Sequence, residues 1–398
     1  MSNGTIAETS DAKLGRRLTE ITMGLDAFER AHNGGGGPLD DEGLVPIFLG
    51  ADLITRAAYT SWDGVNADIA ALAADVATLA LSPRATFLQA MARSLRAAAR
   101  LFAGETLTFR EKLRDLVGVP DEPVADETIA GIHDSLDRLI SKLGYRSGTL
   151  AERVYAWQTG RYLDPTDIPK IFDELMATAQ TRTDAKIFPT GDYTMRLNAV
   201  RNVPYAGRCS FAEGNMDINL DVAVTRAALK HLVCHEVFPG HSTQLLSTKA
   251  SATQGSAPLD ALLCTANMVT GAVQEGIGDQ GIDLIDWVED EHDAAQIEVR
   301  RLQTATGTNA AWHLHVTGWS REESIRYLQD VGFGQASWAK VRTGMAEHPF
   351  RGPFLASYWF GNETVKALRE STTREKHGAF IASLYHGVNS IASLRAAS

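Results

Sequence analysis

Residues 225–244, TRAALKHLVCHEVFPGHSTQ, carry an apolar helical period that Pro239-Gly240 interrupts. Proline lacks the amide hydrogen, and its ring clashes with the carbonyl four residues earlier, here that of His235. Gly240 then offers the backbone freedom to turn. A helix starting near Thr225 is therefore forced to kink or stop within one turn of His235. On an unbroken helix His235 and His241, six positions apart, would point about 120° away from each other and differ by about 9 Å of rise. With a break between them, His241 can swing back toward His235. In the zinc helix HExxH the two histidines are four apart and share a face. This stretch reads as such a motif lengthened by two residues where a break absorbs them.

A third ligand should come from another helix and leave a coordination position for water. Glu275 is the candidate, since it lies in NMVTGAVQEG (267–276), an otherwise apolar, small-residue stretch. A carboxylate there is costly to bury without a partner. Two imidazoles and one carboxylate suit Zn2+ best, although other divalent ions are open to the same set. Glu236, next to His235, stands where an HE pair puts the general base for a metal-activated water. His231, four residues before His235 and on its helix face, is a rival ligand, but it leaves the Pro-Gly break unexplained. Cys234 points about 100° away from His235 and reads as a packed thiol.

Two later segments supply further candidates. WHLHVTGW (312–319) places His313 and His315 at alternate positions, either able to donate to a carboxylate or a substrate oxyanion, or to serve the core instead. RGPFLASYWFG (351–361) combines Arg351, suited to a substrate carboxylate, with Tyr358, suited to an oxyanion or to the core.

The rest of the chain is read mainly as helix. Val65–Leu81, Arg84–Glu105 and Asp126–Gly144 repeat apolar residues at three- and four-residue spacing, with Asp126 as a candidate cap. A first helix is expected around Leu14–Ala31, followed by a break at Gly34–Gly37; residues 1–10 and 33–40 are expected to be flexible. Between about Phe188 and Val222, alternating apolar and polar residues predict two or three strands, a small sheet beside the site. Ser320-Arg-Glu-Glu323 predicts a capping box. The expected fold class is mainly α with a small β-sheet near the metal site. Residues 1–180 form a helical scaffold half and 181–398 a catalytic half, within what can be one continuous domain.

Bulk composition removes several alternatives. The 38 basic and 49 acidic side chains give a net charge of −11, which does not suit a general nucleic-acid binder. No apolar run nears the roughly 18–20 residues that span a bilayer. The N-terminus shows no apolar h-region after a basic start, so no secretory signal and no membrane partner are expected. Three scattered cysteines, Cys209, Cys234 and Cys264, argue against a disulfide framework, and a cytoplasmic location is expected.

These motifs together resemble the bacterial family called domain of unknown function 885, whose members are regarded as zinc metallopeptidases. The family's HExYPGHHLQ is similar to His235–Gln244, its EGWA to Glu275–Gly278, its GLHxxGWxREE to His313–Glu323 and its PGQALSYxxG to Gly352–Gly361. The likeness spans about the last 180 residues in order. It implies a multi-helix, gluzincin-type metallopeptidase fold. The metal triad His235, His241 and Glu275 carries over together with Glu236, and the family's histidine and tyrosine fall at His315 and Tyr358, read here as catalytic. Beside what the resemblance implies, Arg351, His313 and Gln244 are read as substrate-binding candidates. The sequence departs from the family pattern at Ser242, Ile277, Phe354 and Ala311, so the substrate pocket differs while the triad is kept. The expected activity is zinc-dependent hydrolysis of an amide bond in a peptide or small peptide-like metabolite. The alternatives are a metal-dependent lyase or cyclising enzyme acting on a specialised metabolite, and a metal-stabilised, non-catalytic binding protein.

Overall fold

A computed structural model describes residues 9–33, 39, 43–203 and 207–397. The expected break at 34–37 lies outside them, as do 1–8 of the N-terminal stretch. Mainly helical, the chain forms two compact units. One comprises Met1–Glu122, Thr248–Val273 and His348–Ser398; the other comprises Pro123–Ser247 and Gln274–Glu347. Each unit is drawn from separated stretches of chain, whereas the local sequence pattern marks a change of character near residue 180. Packing between residues far apart in sequence sets such boundaries, and local pattern does not record it.

In the first unit the helices Ser10–Asn33, Trp62–Ala77 and Pro83–Phe102 bury leucines such as Leu18, Leu25, Leu72 and Leu95. Ser61 and Ser82 cap the second and third by accepting a backbone N–H, and Pro83 takes the first helical position, where no amide hydrogen is needed. Strands Ile47–Phe48 and Leu263–Cys264 pair antiparallel. Arg84 holds the fully buried carboxylate of Asp260 with two 2.6 Å bonds.

The second unit carries the residues of the HE-PGH motif. Helix Asp126–Lys142 begins after Ala125, which offers no side-chain cap; Asp126 lies inside the first turn, where a negative charge suits the helix N-terminus. It is not the cap the sequence suggested. The sheet expected between 188 and 222 is three-stranded, with Asn215–Asn219 between Arg196–Val200, parallel to it, and Gly207–Ser210, antiparallel. Its Met216 and Ile218 pack against Leu229, Val233, Val237 and Phe238 around helix Arg226–Glu236. Ser320 and Glu323 form the expected capping box. All three cysteines are free. No helix among the described residues is long and apolar enough to cross a membrane.

Candidate metal centre

Thr225 caps the helix Arg226–Glu236, which ends immediately after His235, and a new helix starts at His241. The Phe238–Pro239 peptide between them is cis. Gly240 is required for a reason the sequence did not disclose. It needs no left-handed backbone, but a Cβ there would lie 1.7 Å from the carbonyl oxygen of His235. The chain folds back so tightly on the helix end that only glycine fits, which turns His241 toward His235. Their rings sit with centroids 4.8 Å apart and planes at 85°.

Glu275 comes from the helix Gly271–Asp279. Its Oε2 lies 3.2 Å from His235 Nε2 and 3.8 Å from His241 Nε2. The three ligand-type atoms all fall within 4.8 Å of one another. Donors about 2.0–2.1 Å from one tetrahedral ion stand about 3.4 Å apart, a value that the two Glu275–imidazole distances bracket. Glu275 Oε2 is also buried and accepts no hydrogen bond, an unsatisfied acceptor aimed at two imidazoles. His235 and Glu275 are largely buried, while the His241 side chain keeps 29% of its surface exposed, an accessible edge.

Asp279, four residues after Glu275 and on the same helix face, completes the arrangement. Its Oδ1 takes His235 Nδ1 at 3.0 Å, His231 Nε2 at 3.3 Å and Arg300 Nε at 3.3 Å. Burial would raise its pKa, but Arg300 and the two imidazoles outweigh burial and hold it well below the usual carboxylate range. An ionised carboxylate only accepts, so His235 Nδ1 carries a proton and its Nε2 is the atom turned to Glu275 and His241. Burial alone disfavours positive charge on His235, but the carboxylates of Asp279 and Glu275 outweigh burial and raise its pKa to about 10. The Nε2 face is thus an environment that favours a positive charge, whether a proton or a cation in its place. For His231 burial prevails and lowers the pKa, leaving a neutral ring that donates to Asp279. His231, His235 and Asp279 also form a cluster with ligand-like spacing, but the guanidinium of Arg300 already neutralises that carboxylate. His231 thus supports Asp279 instead of joining His241 and Glu275. Sequence reading missed Asp279; a second acid one turn beyond Glu275 on an apolar helix was the available signal.

Close approach brings these helices together. A Cβ on Gly278 would fall 2.8 Å from His235 Nδ1, and one on Gly281 would fall 2.6 Å from the Cys234 carbonyl oxygen. The sheet does lie beside the site. Cys209, on strand Gly207–Ser210, has its thiol pKa pushed up to about 12, mainly by burial and further by the charge of Glu236. Ser242 donates to the Glu236 carbonyl at 3.1 Å, and the Tyr193 hydroxyl approaches Ser242 Oγ at 3.4 Å.

The remaining candidates have these surroundings. Gln244 donates to the Gln274 carbonyl at 3.2 Å, and its amide nitrogen lies 3.5 Å from His241 Nδ1, at the outer limit of hydrogen bonding. It therefore abuts the ligand-type histidine. His315 Nε2 donates to the Ala346 carbonyl at 2.8 Å. His313 stacks on Trp319 with centroids 4.1 Å apart, and its Nδ1 lies 3.0 Å from Thr317 Oγ1. Arg351 and Tyr358 belong to the first unit, where Tyr358 meets Phe354 edge-on at 5.7 Å and the Arg351 amide donates to His348 Nδ1.

No family model matches this chain, and no curated protein does. Solved structures that share its fold include two putative lipoproteins. One is a putative lipoprotein from Colwellia psychrerythraea, 16% identical with a TM-score of 0.60; the match covers 85% of this chain. The other is a putative lipoprotein of unknown function from Shewanella oneidensis, 14% identical with a TM-score of 0.52, covering 84% of this chain and 70% of that one. This chain spans 63% of the length of the Colwellia protein. At such identities the likeness is one of fold alone.

Proposed function

We propose that His235, His241 and Glu275 hold one divalent ion, zinc by the chemistry of the donor set, and that the protein is a zinc-dependent hydrolase of amide bonds. The observation that carries this reading is the hydrogen-bond-free Oε2 of Glu275 facing two imidazole Nε2 atoms at 3.2 and 3.8 Å. When bound, zinc in such a site lowers the pKa of water and polarises a carbonyl. The chain's own residues do the rest. Asp279 fixes the His235 tautomer and ring angle, as partners of ligand histidines do. Glu236, half-buried at the helix end, accepts the proton of the attacking water and returns it to the leaving amine.

The substrate class is a peptide or a small peptide-like metabolite. A second reading, a metal-dependent lyase or cyclising enzyme, draws on Ser242. Where the resembled family has a second histidine, this hydroxyl donates instead to the Glu236 carbonyl. The cytoplasm is the compartment that three free cysteines fit best; recovery of the protein in a membrane or envelope fraction would instead align it with its lipoprotein-like structural neighbours.

Elemental analysis of the purified chain is expected to find one equivalent of zinc, and His241→Ala to lose it. An unaltered metal content in that variant removes His241 from the ligand set. Peptide-panel cleavage by the loaded protein supports the hydrolase, whereas loaded but inert protein favours the second reading. Asp279→Asn is expected to weaken zinc affinity by about 10–100-fold, the usual effect of removing a partner that orients a ligand histidine. Competition with a chromogenic chelator measures it.

A further inference from the structure

Away from the metal ligands, the second unit holds a cavity of about 290 Å³ lined by Trp157, Arg161, Arg226, Asp290, His292 and Asp293, among others. That volume lies just under the range of ligand pockets, about 300 to 1,000 Å³, so only a small ligand fits. One wall is chemically determined. The Trp157 indole Nε1 lies 2.9 Å from His292 Nδ1, with the rings within 5° of parallel. An indole nitrogen can only donate, so His292 Nδ1 is the acceptor and its proton sits on Nε2. The buried tryptophan therefore sets a histidine tautomer whose free donor is Nε2–H.

The charges on the wall divide into satisfied and unsatisfied ones. Arg226 pairs with Glu289 at 3.2 Å, and Asp293 pairs with Lys230 at 2.6 Å. Among the described residues, neither Arg161 nor Asp290 has an ion-pair partner. They carry opposite charges and do not pair with each other. One Asp290 oxygen takes the amides of His292 and Asp293 as a helix cap, which leaves the other oxygen for a ligand.

From this arrangement we infer that the cavity binds a free α-amino acid with a short side chain. Arg161 and His292 Nε2–H take its carboxylate, and the open oxygen of Asp290 takes its ammonium. A simple carboxylate would leave Asp290 facing an anion, and a simple amine would leave Arg161 facing a cation; both mismatches select for a zwitterion. The inference stands independently of the metal reading.

Calorimetric titration of the whole protein with L-alanine, acetate and methylamine tests it. L-alanine is expected to bind at least about tenfold more tightly than either half-ligand. Arg161→Ala and Asp290→Asn should each weaken it by a similar factor. Arg161 is exposed, and asparagine caps a helix as well as aspartate, so both variants keep the fold, which circular dichroism checks. His241→Ala should bind alanine as the parent does. Absence of saturable binding, acetate binding as tight as alanine, indifference to both wall substitutions, or loss of binding in His241→Ala would each overturn the assignment.

Discussion

Glu236→Gln is expected to lower turnover by about 10²–10⁴-fold, the usual contribution of a positioned general base, while zinc content stays at one equivalent. Glutamine matches the shape of glutamate but cannot accept a proton at neutral pH. Local structure is spared, because the hydrogen bond that Glu236 receives from Ser242 goes to its main-chain carbonyl. The measurement pairs kcat on any substrate found in the peptide panel with metal analysis of the same sample. An undiminished kcat removes Glu236 from the chemistry. Lost turnover together with lost metal shows instead that Glu236 helps to hold the ion.

Lys230→Met is expected to destabilise the fold by about 3–5 kcal/mol, the range found when one partner of a buried ion pair is removed. The Lys230 side chain is wholly buried, its Nζ 2.6 Å from Asp293 Oδ2, 3.0 Å from Glu289 Oε2 and 4.2 Å above the Trp287 ring. Methionine fills much of the space but leaves the Asp293 carboxylate, itself 4% exposed, without its cation. Against the roughly 5–15 kcal/mol of a typical domain, such a loss is severe. Urea denaturation of the single variant and of Lys230→Met with Asp293→Asn measures it; the double variant should recover part of the loss, since no uncompensated charge then remains. Equal stability of single and double variants would deny the pair its role. Glu289 adds a pH dependence. Burial alone would raise its pKa, but Lys230, Trp287 and Arg226 outweigh burial and take it down to about 2 from 4.5. Its contribution is therefore complete above pH 4.5 and disappears as the pH falls toward 2.

Much of this arrangement was legible in advance because it is local. Helix spans such as Pro83–Phe102 followed from apolar spacing, and the capping box at Ser320 from residue types at fixed offsets. The break after His235 followed from Pro239, and the small sheet, read as two or three strands, from alternation. Asp126 was misjudged as a cap because a cap is defined by backbone geometry at one position, and an acid just inside the helix looks the same in sequence. Gly240 was identified, but for the wrong reason: what it supplies is clearance from the His235 carbonyl, a distance no linear pattern records.

By itself, then, the sequence determined which residue types were available and where the helix bearing His235 had to end, since proline chemistry and helical periodicity act within a few residues. It also put Glu275 in an apolar stretch where a lone carboxylate calls for a partner. Tertiary structure alone decided that Asp279 takes the Nδ1 side of His235, that Arg300 neutralises that carboxylate, and that each compact unit is drawn from separated stretches of chain. These outcomes depend on distances between segments tens of residues apart, which arise only when helices such as Arg226–Glu236 and Gly271–Asp279 meet at glycine-sized separations.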